Sequence, residues 1–263
     1  MQALDPNVFC KAYPDYVSKI DGNCLVFYDG SKMDLGRISE NFDKKLNNPS
    51  LMDQISIPYL PGRVSEEFLA TNKTDPGRFR YIPFFLKIYG ASAVEVEKNL
   101  VEIDWMPKAF GKNIELSSHD THQQYKILVT QANGVAKKFS NISASLDELN
   151  KDGKYTKYLE NPGGTFLWRN IEGTNRLSAH SFGMTIDINV AFSSYWLWDM
   201  RANNPNLNMQ VNQLDMSKIP RYKNQIPWEI IEIFEKNHFI WGGKWHHYDT
   251  MHFEYRPEFF VEY

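Results

Sequence analysis

Ser178-Ala179-His180-Ser181-Phe182-Gly183-Met184-Thr185-Ile186-Asp187 is the stretch that decides how this chain folds. Seven residues separate His180 from Asp187. In a continuous helix that spacing is two turns, a rise of about 10 Å, which carries the side chains apart. In a continuous strand the odd spacing sends them to opposite faces. Gly183 resolves the conflict, because a turn there folds His180 back toward a strand over residues 184–189. On that strand Met184, Ile186 and Ile188 share one face, and Thr185, Asp187 and Asn189 share the other. The apolar face packs inward and the polar face lines a cleft.

A second stretch completes the pattern: Trp245-His246-His247-Tyr248-Asp249-Thr250-Met251-His252-Phe253-Glu254-Tyr255. Met251, Phe253 and Tyr255 alternate with His252 and Glu254, the period of a strand. Donor atoms on one zinc ion bond at roughly 2 Å and lie only a few ångström from one another. Two strands that each turn a ligand to a common polar side meet that demand, so His180, Asp187 and His252 are the expected ligands of one zinc ion. Asp249 falls at the start of the second strand, where a carboxylate can handle protons beside the metal. The competing reading is two half-buried strands with incidental polar residues. Three ligands leave a fourth coordination position for water, which fits a catalytic site better than a structural one.

The order S-x-H-x-x-G-x-x-x-D, followed much later by an acidic residue three before H-F-E, resembles the zinc D-Ala-D-Ala carboxypeptidase family, the VanY-type peptidoglycan metallopeptidases. Ser178, His180, Gly183 and Asp187 carry the first part; Asp249 and His252-Phe253-Glu254 carry the second. Asp249 stands where the dipeptidase branch has Glu, as in other branches. The likeness spans residues 160–260 and is weaker before them.

The resemblance implies an α+β fold of the hedgehog/D-Ala-D-Ala peptidase-like kind, a mostly antiparallel sheet with helices packed on one side. It implies one zinc ion and a peptidoglycan stem peptide as substrate, with D-alanyl-D-alanine carboxypeptidase activity. An L-Ala-D-Glu type endopeptidase of the same family and a non-catalytic zinc-binding recognition module are the alternatives. Asp249 would be the catalytic base. Family members carry an upstream Arg that polarises the scissile carbonyl; Arg169 fits that position best, with Arg176 its competitor and otherwise a substrate-binding residue. Ser178 matches the family's substrate-contacting Ser, and His247 is placed to help bind substrate, with His246 in solvent. A cell-wall substrate implies the periplasm or cell envelope of a bacterium, and hence a leader peptide that the chain as given lacks.

Composition agrees with a globular protein. The 263 residues are 42% hydrophobic and 23% charged, with a net charge of −3, so nothing points to nucleic acid or an anionic membrane as partner. No window approaches the roughly 18 apolar residues of a membrane span. No Ser has Lys three residues on, which excludes the S-x-x-K serine route to the same product. Cys10 and Cys24 could close a small loop in an oxidising compartment or remain free thiols. Oligomeric state is left open.

Outward from the motifs, two regions are expected: residues 1–90, irregular and packed on the core, and residues 91–263, the zinc peptidase domain. In the first, residues 25–28 read as a strand, 65–70 as a helix, and 83–89 as a buried apolar segment. Residues 75–78 read as a turn. In the second, 101–105 alternates as a strand. Tyr125, Leu128, Val129, Ala132, Val135, Ala136 and Phe139 recur at helical spacing, predicting a helix capped by Ser118 or Asp120 with His119 and His122 exposed in its first turn. A short second helix is expected over 145–150, a loop over 203–213, and a helix from Trp228 to Asn237 introduced by Pro227.

Overall fold

The computed structural model describes residues 5–110, 126–203 and 218–261. Every strand pair in it is antiparallel, and short helices fill the space between three small sheets. β1 (Val17–Asp21), β2 (Cys24–Phe27) and β3 (Lys32–Asp34) form a meander. β4 (Leu100–Asp104) and β5 (Lys126–Thr130) form a two-stranded ribbon. β6 (Thr185–Asp187), β7 (Phe239–Trp241) and β8 (His252–Tyr255) form the third sheet, with β8 in the centre. The α+β class is as expected, but the antiparallel pairing is divided among three sheets rather than gathered into one.

The third sheet positions the site. Its register sets Asp187 opposite His252 and Thr185 opposite Glu254. Met184, Ile186, Ile188 and Phe253 are fully buried, so the predicted apolar face is the inner one. Phe234 of the helix Trp228–Lys236 stacks on Phe253 at 3.9 Å between ring centres. Ile230 and Ile231 of the same helix are also buried, as their spacing predicts.

Residues 126–139 depart from the helical reading, and Tyr125 lies outside the described residues. Residues 126–130 are β5, paired with β4, with Ile127 and Val129 buried and Leu128 exposed. The chain then turns through left-handed Asn133 and Gly134, and one helix runs Val135–Leu149. Its buried face is Val135, Phe139, Ile142 and Leu146, and it takes in most of the separate helix expected after Ser145. Ser118, His119, Asp120 and His122 lie outside the described residues. Another difference is the helix Trp196–Asn203, where only a loop had been expected beyond it; residues 204–213 of that loop are not described.

The first ninety residues join the same hydrophobic cluster. Ser65 caps the helix Glu66–Thr71, close to its predicted place. The apolar segment 83–89 is buried as the helix Ile82–Tyr89, with Pro83 in its first turn. Its Phe85 lies 5.7 Å from Phe182, so this helix buttresses the turn that carries His180. Cys10 and Cys24 are both free thiols. Among the described residues no helix is long and apolar enough to cross a membrane.

Candidate metal centre and cleft

His180 sits in a single 3-10 turn, Ala179–Phe182. Ser178 begins it by accepting the His180 backbone N–H on its hydroxyl at 3.3 Å. Gly183 ends it at φ 63°, a left-handed conformation that costs a residue with a side chain about 1–2 kcal/mol. The chain thereby reverses into β6, and Thr130 of β5 donates its N–H to the Gly183 carbonyl at 3.0 Å. This is the fold-back that the seven-residue spacing requires.

The result brings three donor groups together. One ligand atom from each of His180, Asp187 and His252 lies within 4.8 Å of the others. Asp187 is held between the imidazoles: Oδ2 is 3.2 Å from His180 Nε2, and Oδ1 is 3.0 Å from His252 Nδ1. In each ring the opposite nitrogen is anchored. His180 Nδ1 meets the Thr165 carbonyl at 3.2 Å, and His252 Nε2 meets Glu254 at 3.4 Å. Such outer partners fix a tautomer and aim a ligand nitrogen, so the donor set fits a divalent metal with two His and one carboxylate. Burial opposes charge on Asp187, but the two histidines hold its carboxyl far below the usual carboxylate range. Burial likewise opposes charge on His252, yet its bonds to Asp187 and Glu254 push its pKa up to about 10.

Glu254 is itself completely buried. Arg80 grips it through two N–H groups, Nε to Oε1 at 2.8 Å and Nη2 to Oε2. Arg256 adds a third contact at 3.2 Å, bonds Glu258 through Nε at 2.7 Å, and donates to the Gly77 carbonyl. Tyr13 and Gln54 complete Glu258. A line of buried charges therefore runs from a metal ligand into the first ninety residues.

The centre opens into a cleft of about 210 Å³. Asp249 lies on its wall, with Oδ1 sealed from solvent and lacking any hydrogen bond. Burial and the neighbouring Asp187 charge push its pKa up to about 7. Ser178, His247 and Arg169 line the same cleft, as their sequence positions suggest, with Arg169 exposed. Arg176 does not; it faces an adjoining cavity. His247 is buried and tied to Asp75, which accepts its backbone N–H at 2.9 Å and lies 2.6 Å from its Nδ1. Burial, aided by Arg78, lowers the His247 pKa. His246 is half-buried rather than in solvent.

Sequence reasoning missed Arg78 and Arg80 as parts of this wall and Asp75 as the buried partner behind it. The stretch Asp75-Pro76-Gly77-Arg78 is a turn, as expected, but a turn seated on the segment between β7 and β8: Trp245 Nε1 donates to the Pro76 carbonyl at 2.7 Å. Arg78 is largely buried, bonds Asp75 at 3.2 Å and lies over the Trp196 ring. One signal was present. A glutamate inside an alternating apolar strand, as in H-F-E, needs a buried cation somewhere in the chain.

Residues 172–255, which hold all three donor groups and Asp249, match the family model described as D-alanyl-D-alanine carboxypeptidase. The match is a likeness of this segment, about a third of the chain. The likeness to the D-alanyl-D-alanine carboxypeptidase family supports reading the donor set as that of a metallopeptidase. No curated protein and no solved structure matches the chain.

Proposed function

We propose that this protein is a zinc peptidase of the bacterial cell envelope that hydrolyses peptide bonds in peptidoglycan stem peptides, removing the terminal residue of D-Ala-D-Ala. The observation that carries the reading is the junction of a three-donor metal set with the half-buried carboxylate of Asp249, one of whose oxygens has no hydrogen bond, in one cleft. His180, Asp187 and His252 would hold the ion. Bound there, zinc supplies Lewis acidity toward the peptide carbonyl and lowers the pKa of water.

The chain's own residues do the rest. Asp249, with a pKa near neutrality, is suited to take a proton from the attacking water and return it to the leaving amine. Arg169 and Arg78 form the cationic wall against which the carbonyl oxygen would lie. A guanidinium in a drier setting interacts more strongly, so Arg78 carries the larger share and the exposed Arg169 the smaller. Ser178 and His247 contact the peptide, with His247 oriented by Asp75. No nucleophilic side chain and no covalent intermediate is needed.

The test is mass spectrometry of purified muropeptides incubated with the protein, with and without a chelator. Loss of one terminal alanine, abolished by chelation and restored by zinc, is the expected outcome. Fragments split inside the stem would instead favour the endopeptidase alternative, and intact muropeptides a recognition module. Asp249→Ala should retain zinc while its kcat falls by about 10²–10⁴, the usual contribution of a positioned acid–base group. Near-full turnover by that variant would remove Asp249 from the mechanism.

A further inference from the structure

We propose that the cavity beside the cleft is a carboxylate subsite, in which Arg176 is the counter-ion for a free carboxylate of the peptide substrate; this rests on the peptidase reading above. The cavity measures about 100 Å³. A single buried water needs about 10–15 Å³, so a carboxylate on a short aliphatic stem has room. Arg80 and Ile171 line both this cavity and the catalytic cleft, so the two adjoin.

The two cations on its wall differ. Arg80 is satisfied by Glu254 on two of its N–H groups. Arg176 is not: its Nε is buried with no hydrogen-bond partner, and among the described residues no carboxylate forms an ion pair with it. Burial, then Arg78 and Arg80, draw its pKa down to about 9, so it remains cationic at neutral pH in a setting that disfavours the charge. Ile82, Pro83 and Leu177 make the surroundings apolar, and Asn48 adds an amide. An arginine left unpaired in such a place binds a carboxylate through charge-assisted, often paired hydrogen bonds. The carboxylate can come from a side chain or from the C-terminus of the peptide.

Binding of uncleavable probes to the zinc-loaded full chain separates these sources without turnover. N-acetylglutamate offers both carboxylates, N-acetylglutamine only the terminal one, N-acetylisoglutamine only the side-chain one, and the diamide neither. Calorimetry should show the wild type binding the diacid at least tenfold more tightly than the diamide, with whichever monoacid keeps that advantage naming the source. Arg176→Gln should abolish the advantage and Arg176→Lys should restore part of it, at unchanged zinc content. Equal binding of diacid and diamide by the wild type would overturn the proposal, as would an undiminished advantage in Arg176→Gln. The wild-type comparison stands even if the variants fail to fold. Muropeptides left intact beside a strong Arg176-dependent preference would refute the peptidase reading but leave the subsite; cleavage without the preference would do the reverse.

Discussion

His252 presents one ring nitrogen to Asp187 and the other to Glu254, and that arrangement has consequences for metal affinity. Glu254 has two jobs: it fixes the tautomer of His252 and it neutralises Arg80 and Arg256. Glu254→Gln keeps the shape and removes the charge. Its zinc affinity, measured by competition with a chromophoric chelator, should fall by about 10–100-fold, the usual cost of losing an outer-sphere carboxylate. Wild-type affinity would mean that the glutamate serves the arginines alone. Protons report on the same ring. In the metal-free protein His252 titrates at about 10 instead of 6.5, so it is cationic at neutral pH. A metal ion must displace that proton, and zinc titrations at pH 7 in buffers of different ionisation heat should show release of about one proton per ion. The raised pKa also stabilises the metal-free fold. That contribution is complete below pH 6.5 and disappears as pH rises through about 10, whereas zinc affinity climbs over the same interval. Denaturant midpoints of the chelated protein between pH 6 and 10 test the sign.

At the scale of elements, the turn between His180 and β6 is the most sensitive joint. A Cβ on Gly183 would stand 2.6 Å from Leu100 Cδ2 and 3.2 Å from the Thr130 nitrogen, at a φ that favours glycine. Leu100 can shift but the backbone of β5 cannot, so Gly183→Ala should cost about 1–3 kcal/mol in urea denaturation and weaken zinc binding. An unchanged midpoint would show that the turn tolerates ordinary backbone. This joint was legible because its whole argument is local: two ligands, their spacing and one glycine. The ribbon β4–β5 was half legible. Val101, Ile103 and Trp105 alternate cleanly, but Leu128, Val129, Ala132, Val135, Ala136 and Phe139 satisfy a helical period that begins before the helix does. Pairing with β4 overrides it, and Leu128, counted in the stripe, points outward. Of the cleft's arginines, Arg78 and Arg80 were not legible at all. Arg80 and Glu254 are 174 positions apart, and nothing near Arg80 announces its partner.

For the molecule as a whole, that distance decides how much of the chain the site needs. The family-matched segment ends at Tyr255 and starts at Glu172, yet its charges are balanced from outside it. Arg80 serves Glu254 and Asp75 holds His247, while just past the segment Gly77 receives Arg256, and Tyr13 and Gln54 serve Glu258. Phe84 and Phe85 lie fully buried in the common core, the second against Phe182. Residues 91–263, the peptidase unit expected from sequence, would retain the three metal donors and lose all of these partners. Removing one member of a buried ion pair costs about 3–5 kcal/mol, and a whole domain is stable by only about 5–15 kcal/mol. Several such losses together exceed that margin. Produced alone, residues 91–263 should therefore show no cooperative unfolding transition and no zinc binding comparable to that of the full chain, which should unfold in one step. Within the full chain, Arg80→Met should reproduce part of the effect by leaving Glu254 one cation short, lowering both the denaturant midpoint and zinc affinity. A fragment that melts cooperatively and binds zinc as tightly as the intact protein would instead make the first ninety residues an accessory to a self-sufficient metal domain.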